Sequence, residues 1–176
     1  MFLSSLPAKN CPPRNWYVLY ISARAEKKVY QRLLDQEIET YLPLVKSVNT
    51  WKNRQKKTVE TPLFTSYIFA KGFEHELSKM ARISGVVTYL RNGCKPYVIT
   101  QHEIDQVKTL VNLQTELSVE SELHSGDKVE ITSGLLKGYE GVLQSRKGKY
   151  FFGIQLKGLN LTIFTQLTTN SLKRIN

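Results

Sequence analysis

Trp16-Tyr17-Val18-Leu19-Tyr20-Ile21 is an unbroken apolar and aromatic run, and its composition predicts a β-strand. Side chains alternate across a strand, so Trp16, Val18 and Tyr20 fall on one face and Tyr17, Leu19 and Ile21 on the other. A sheet with one face in water needs only one apolar face. This strand therefore lies in a sheet wanted on both sides. If helices cover one face, the other leaves aromatics to be covered by something else, a partner included.

Working outward, the apolar period changes from two to that of a helix between Ala25 and Gln36, where Ala25, Val29 and Leu33 recur at i, i+4 and i+8. Tyr41 to Val48 is extended and broken by Pro43, and a polar, basic stretch from Asn49 to Thr58 follows. Tyr67-Ile68-Phe69-Ala70 predicts a second apolar strand, His75 to Met80 a short helix, and Val86 to Leu90 a strand that closes at the Asn92-Gly93 turn. Thr100 with Glu103 has the T-x-x-E spacing of a capping box, ahead of a helix through Ile104, Val107 and Val111.

The texture then changes twice. Leu113 to Ser125 is mostly polar or acidic and is expected to be a linker. Beyond it Val129 and Ile131 alternate with Lys128, Glu130 and Thr132, and glycines recur at short intervals. That pattern predicts a small all-β barrel of about 50 residues. The expected fold class is α+β, divided into a flexible extension over 1–14, an α/β domain over 15–112, a linker over 113–124 and a β-barrel over 125–176.

The chain has 176 residues, of which 41% are hydrophobic and 23% charged, with a formal net charge of +10. A positive balance of that size points to a polyanionic partner, nucleic acid above all. Cys11 and Cys94 are far apart and form no CxxC pair. There is neither the charged and apolar pattern of a signal peptide nor an apolar run near the roughly 18 residues of a membrane span. A cytoplasmic protein is expected. His75, His102 and His124 have no ligand spacing, and the phosphate-binding, dinucleotide-binding and nucleophile-elbow motifs are missing. No enzyme, metal or cofactor is expected.

Trp16-Tyr17-Val18, the helix behind Arg24 and Glu26, Leu42-Pro43, the run from Pro62 to Phe69, and Gly85-Val86-Val87 occur in the order found in NusG N-terminal (NGN) domains. Gly126-Asp127-Lys128-Val129, with Gly134, Lys137-Gly138 and Gly141-Val142, resembles a KOW motif. The chain thus resembles the NusG family of transcription elongation factors. The run from Pro62 to Phe69 and the basic segment before it are most similar to the operon-specialised paralogues, RfaH and the UpxY capsule-operon antiterminators. Thr65 and Ser66 stand where the family usually has proline and glycine, which favours a specialised paralogue over the general factor.

The resemblance implies an NGN α/β sandwich followed by an SH3-like KOW barrel. It also implies a function without catalysis: the protein would bind RNA polymerase across its cleft and promote processivity and antitermination at specific operons, such as those for polysaccharide synthesis. Val18, Tyr20, Phe64, Tyr67 and Phe69 would meet the clamp helices of the largest subunit, although all five also suit a core. Ser78 and Lys79 would meet the gate loop of the second subunit. Lys52, Arg54, Lys56 and Lys57 crowd a segment around Trp51 that predicts a basic hairpin tip, placed by the resemblance near upstream DNA. Lys27, Lys28, Gln31 and Arg32 fall on the helix arc opposite Ala25, Val29 and Leu33, the face that meets non-template DNA in the specialised paralogues.

In the C-terminal module, Tyr139, Phe151, Phe152 and Phe164 are candidates for either a partner surface or the barrel core. By resemblance the partner is Rho, a small-subunit ribosomal protein or RNA, and the sequence does not choose among them. β-Branched residues and repeated glycines favour strands over a helical hairpin in this module. The polar spacer predicts modules that move independently and leave the Tyr20–Tyr67 pocket open. The rival expectation is a KOW-containing RNA-binding or ribosome-associated protein that does not bind polymerase.

Overall fold

The computed structural model describes residues 12–50, 56–113, 117–120, 126–146, 149–166 and 172–175. The opening run forms β1 (Asn15–Ile21), followed by α1 (Glu26–Leu34), β2 (Glu39–Tyr41), the hairpin β3 (Leu44–Thr50) and β4 (Lys56–Pro62), and β5 (Tyr67–Gly72). A 3-10 turn leads into α2 (Leu77–Met80), then come β6 (Val86–Tyr89), the short pair β7 (Arg91–Asn92) and β8 (Lys95–Pro96), β9 (Val98–Ile99) and α3 (Gln101–Asn112). The remaining described elements are extended: β10 (Leu117–Glu120), β11 (Asp127–Ile131), β12 (Glu140–Arg146), β13 (Lys149–Leu156), β14 (Leu161–Gln166) and β15 (Leu172–Arg174), with a 3-10 turn at Lys157–Leu159.

β1 is central to the first sheet, ordered β2-β5-β1-β6, with β9 also paired to β1. Its two apolar faces are covered separately. Tyr17, Leu19 and Ile21 pack with Val29 and Leu33 of α1 and with Leu77 and Met80 of α2. Trp16 and Val18 enter a second cluster with Ile104, Val107 and Leu110 of α3. The expected capping box starts α3: Glu103 donates its backbone N–H to the Thr100 hydroxyl, and the Glu103 carboxylate accepts from the Thr100 N–H at 2.8 Å. The Trp16 indole N–H, which burial would otherwise strand, donates to Gln101 Oε1 at 2.8 Å.

The second sheet is antiparallel and ordered β10-β14-β13-β12-β11-β15. Strands fill the described part of this module, as its β-branched residues predicted. The tight turn from β11 to β12 needs Gly138, whose φ of +83° would strain other residues. Two expectations change. Leu117–Glu120, inside the stretch expected to be a linker, is a strand paired along β14 from Leu117↔Thr165 to Glu120↔Thr162. Nor are the modules independent, since the cluster around Trp16, Val18 and α3 continues into Val129, Ile131, Phe152, Leu156 and Ile163 of the second sheet. Over Trp16 and Val18 the covering left unassigned by the sequence is supplied by this chain itself, through α3 and the second module, while Tyr20 on the same face stays exposed.

Two polar contacts fix the junction. Tyr97 accepts a hydrogen bond from the Gly158 N–H at 3.2 Å, and the Thr109 and Tyr139 hydroxyls lie 3.0 Å apart. His102 meets the Tyr139 ring edge-on, with centroids 6.1 Å apart.

Candidate functional site

β1 and β5 run antiparallel with Tyr20 opposite Tyr67 and Val18 opposite Phe69. Because directly opposed residues share a face, the predicted aromatic residues converge. The Tyr20 and Tyr67 rings lie 5.6 Å apart, Phe64 meets Phe69 edge-on at 5.7 Å, and Tyr41 stacks on Phe69 at 6.2 Å. Exposure then separates them. Tyr20 is 39% exposed, Phe64 only 2%, and Val18 and Phe69 are at 0%. Val18 and Phe69 are core residues here that support the face from beneath, and only Tyr20 and half-buried Tyr67 reach its surface.

Phe64 is held by a loop whose backbone is bonded at each end. Leu63 donates to the Pro43 carbonyl at 2.8 Å, and Ile21 donates to the Ser66 carbonyl at 2.9 Å. Ser66 has φ +67°, a left-handed conformation that glycine adopts more readily. Its N–H donates to Oε1 of Glu26 at 2.9 Å, and Glu26 is buried at the start of α1. That acceptor helps to offset the strain of a serine at this position. Glu26, which the sequence marked only as an entry to the first helix, is a positioning residue, since it acts on a loop 40 positions away.

Phe64 and Tyr67 line a cavity of about 580 Å³ together with Val45, Pro62, Leu63 and Thr65. Leu117, Val119, Leu159, Asn160 and Leu161 of the second sheet line it from the opposite side. The pocket expected to stand open is thus shared by both modules, because β10 and the turn before β14 lie against it. At the outer end of this face Lys71 and Lys108 sit over the Trp16 ring at 5.5 and 5.8 Å, placing positive charge beside the aromatic run.

The basic helix face is partly committed within the protein. Lys27 donates to the Glu60 carbonyl at 2.7 Å, Arg32 donates to the Ser84 carbonyl at 2.5 Å, and Gln31 donates to Asp35 at 3.0 Å. All four side chains, Lys28 included, are exposed. The hairpin predicted around the basic stretch is formed, with pairing from Leu44↔Pro62 to Thr50↔Lys56. Lys52 and Arg54 lie outside the described residues, as do the side chains of Lys56 and Lys57. Ser78 and Lys79 are exposed on α2. In the second module Phe152 and Phe164 are fully buried, Phe151 is half-buried, and Tyr139 packs beside α3; the expected partner surface is largely core and junction.

Burial pushes the Tyr41 phenol up to about 12. Tyr97 is also raised, first by burial and then by the Glu103 charge, with the Gly158 hydrogen bond opposing. Among the described residues no group of three or more His, Cys, Asp or Glu side chains is placed to hold a metal, and no helix is long and apolar enough to cross a membrane.

A family profile described as "Transcription termination factor nusG" matches residues 14–108, more than half of the chain. The chain is 26% identical over 150 residues to the transcription termination/antitermination protein NusG of Rickettsia typhi, covering 79% of this chain and 78% of the relative. It is 27% identical over 143 residues to the protein of the same name from Streptococcus pyogenes serotype M3, covering 73% and 78%. A solved structure, "Domain interaction in Thermotoga maritima NusG", shares the fold with a TM-score of 0.53 at 17% identity, over 93% of this chain and 98% of that one.

Proposed function

The chain belongs to the NusG family of transcription termination and antitermination factors, and on that premise we propose that it is an operon-specialised member that binds RNA polymerase across the cleft and promotes processivity. The observation that carries this reading is the cross-strand pair Tyr20–Tyr67, partly exposed and adjoining the Phe64 cavity. Tyrosine offers an interface a large apolar area and a hydroxyl for its wet rim. The clamp helices of the largest subunit are assigned to this face, with Val18 and Phe69 as its floor and Phe64 as the buried anchor. Ser78 and Lys79 are assigned to the gate loop of the second subunit.

Such a ligand acts by differential affinity: bound to both sides of the cleft, it favours the closed polymerase and disfavours the open, paused one. Lys28, with Lys27, Gln31 and Arg32 beside it, supplies the charge for non-template DNA, and the β3–β4 hairpin with Lys52, Arg54, Lys56 and Lys57 supplies that for upstream DNA. The second sheet is assigned to an SH3-like KOW barrel whose partner is Rho, a small-subunit ribosomal protein or RNA. Operon specialisation is supported by Thr65 and Ser66, with the strained Ser66 held by Glu26. Purification of the tagged chain from growing cells tests the reading: polymerase subunits should co-elute, whereas ribosomes without polymerase would favour a ribosome-associated protein.

A further inference from the structure

α3 turns one face to the second sheet. His102 meets the Tyr139 ring edge-on, and the Thr109 hydroxyl lies 3.0 Å from that of Tyr139. Gln106 stands between them, one helical turn from each. It is only 7% exposed, yet among the described residues its side-chain amide meets no hydrogen-bond partner. An amide buried unpaired is costly, so its presence there calls for an explanation. Gln106 lines a cavity of about 210 Å³ against β11, β12 and β13, which shares no lining residue with the one beside Phe64 and Tyr67. Val142, Ile154 and Ile175 give it aliphatic walls, and the exposed side chains of Lys128, Lys157 and Glu140 join the lining. Among the described residues neither lysine is paired with a carboxylate.

We propose that this cavity binds an adenine nucleotide, either free or as one residue of a single strand. A water takes about 30 Å³ and needs two to four polar partners, so water suits the amide but not the aliphatic walls. A flat base suits those walls. The Gln106 amide offers a donor and an acceptor side by side, which match N7 and the N6 amino group of adenine; guanine presents two acceptors on that edge. Lys128 and Lys157 supply the charge for the phosphate, and Glu140 accepts from a ribose hydroxyl. A bare anion would be opposed by Glu140 and would leave the Gln106 carbonyl without a donor. The site stands apart from the polymerase-binding face and does not depend on the function proposed above.

Titrating the isotope-labelled full chain with adenosine monophosphate tests the site, read by NMR at the Gln106 side-chain amide. Saturable shifts with a dissociation constant on the order of 0.1 mM are expected. Guanosine monophosphate should bind at least about fivefold more weakly. Lys128→Ala together with Lys157→Ala should weaken adenosine monophosphate at least about tenfold and leave adenosine unchanged, here read at the same resonances. Gln106→Leu keeps the burial and loses the amide. It should weaken nucleotide binding at least about fivefold, read at the backbone amides of 140–142, and raise the melting temperature by about 2–4 °C. An oligoadenylate read at Gln106 separates the two sources: tighter binding than the mononucleotide identifies a strand, weaker binding a free nucleotide, and either supports the site. No shift at Gln106 with adenosine monophosphate or the oligoadenylate, the same shifts with inorganic phosphate alone, or equal binding of the two mononucleotides would each overturn the proposal. So would a Gln106→Leu chain that binds normally or melts lower.

Discussion

Tyr97 lies against Gly158 so closely that a β-carbon at position 158 would overlap its ring, while its hydroxyl accepts the Gly158 N–H at 3.2 Å. A residue on the connector before β9 thus meets the turn between β13 and β14, and glycine is required there by proximity rather than by φ. Gly158→Ala should separate the modules while each stays folded. Small-angle scattering and 15N relaxation should show a longer particle with two tumbling times; unchanged values would mean that this contact does not hold the junction.

Ser66 and Glu26 form a second such pair. Ser66→Gly relieves the left-handed serine and should stabilise the chain by up to about 1 kcal/mol, the relief being partly offset by a more flexible unfolded chain. Glu26→Ala removes the acceptor of a part-buried N–H and should cost about 1–3 kcal/mol. Thermal unfolding of both variants provides the measurement, and an unstable Ser66→Gly would contradict the strain argument.

The features legible in the sequence were those with local signals. The Thr100–Glu103 box, the α1 period and the strands on either side of the basic stretch each need only a few neighbouring residues. The two faces of β1 were also legible, but not what covers the second one. Its partners, such as Gln101 for Trp16, lie 85 positions away. β10 was hidden because the four-residue alternation Leu117-Ser118-Val119-Glu120 is too short to stand out in a polar stretch, and it is a strand because β14 offers it an edge. Arg32 pointed outward on a helical projection, yet its long side chain bends to a carbonyl 52 positions on. Val18 and Phe69 matched the family's binding region in sequence, but only burial distinguishes the floor of that face from its surface.

Alkaline pH should weaken the fold. Tyr41 titrates near 12 in the folded protein against an ordinary 10, so its contribution is fully present below pH 10 and is lost as pH rises towards 12. Tyr97 acts in the same direction. The melting temperature should fall across that window, and Tyr41→Phe should flatten the decline. An identical slope in the variant would show that Tyr41 is not responsible.

On the helix face Lys27, Lys28 and Arg32 are all exposed, but Lys27 and Arg32 each donate to a backbone carbonyl. Lys28→Ala should weaken binding to single-stranded DNA and reduce the logarithmic salt slope by about 0.7, the value for one phosphate contact. Lys27→Ala and Arg32→Ala should change the slope less and the melting temperature more. Equal slopes for Lys28→Ala and the unaltered chain would identify a solvated face only.

The account depends most on the Tyr20–Tyr67 face. Tyr20 is exposed, so its truncation leaves the core intact, and Tyr67 is only half-buried. Titrating fluorescent RNA polymerase with the unaltered chain and with the Tyr20→Ala, Tyr67→Ala double variant gives two dissociation constants to compare. Loss of aromatic anchors at the centre of an interface costs about 2 kcal/mol or more, which predicts roughly thirtyfold weaker binding by a folded variant. Equal affinities, with the variant's fold confirmed, would contradict the assignment of this face to polymerase.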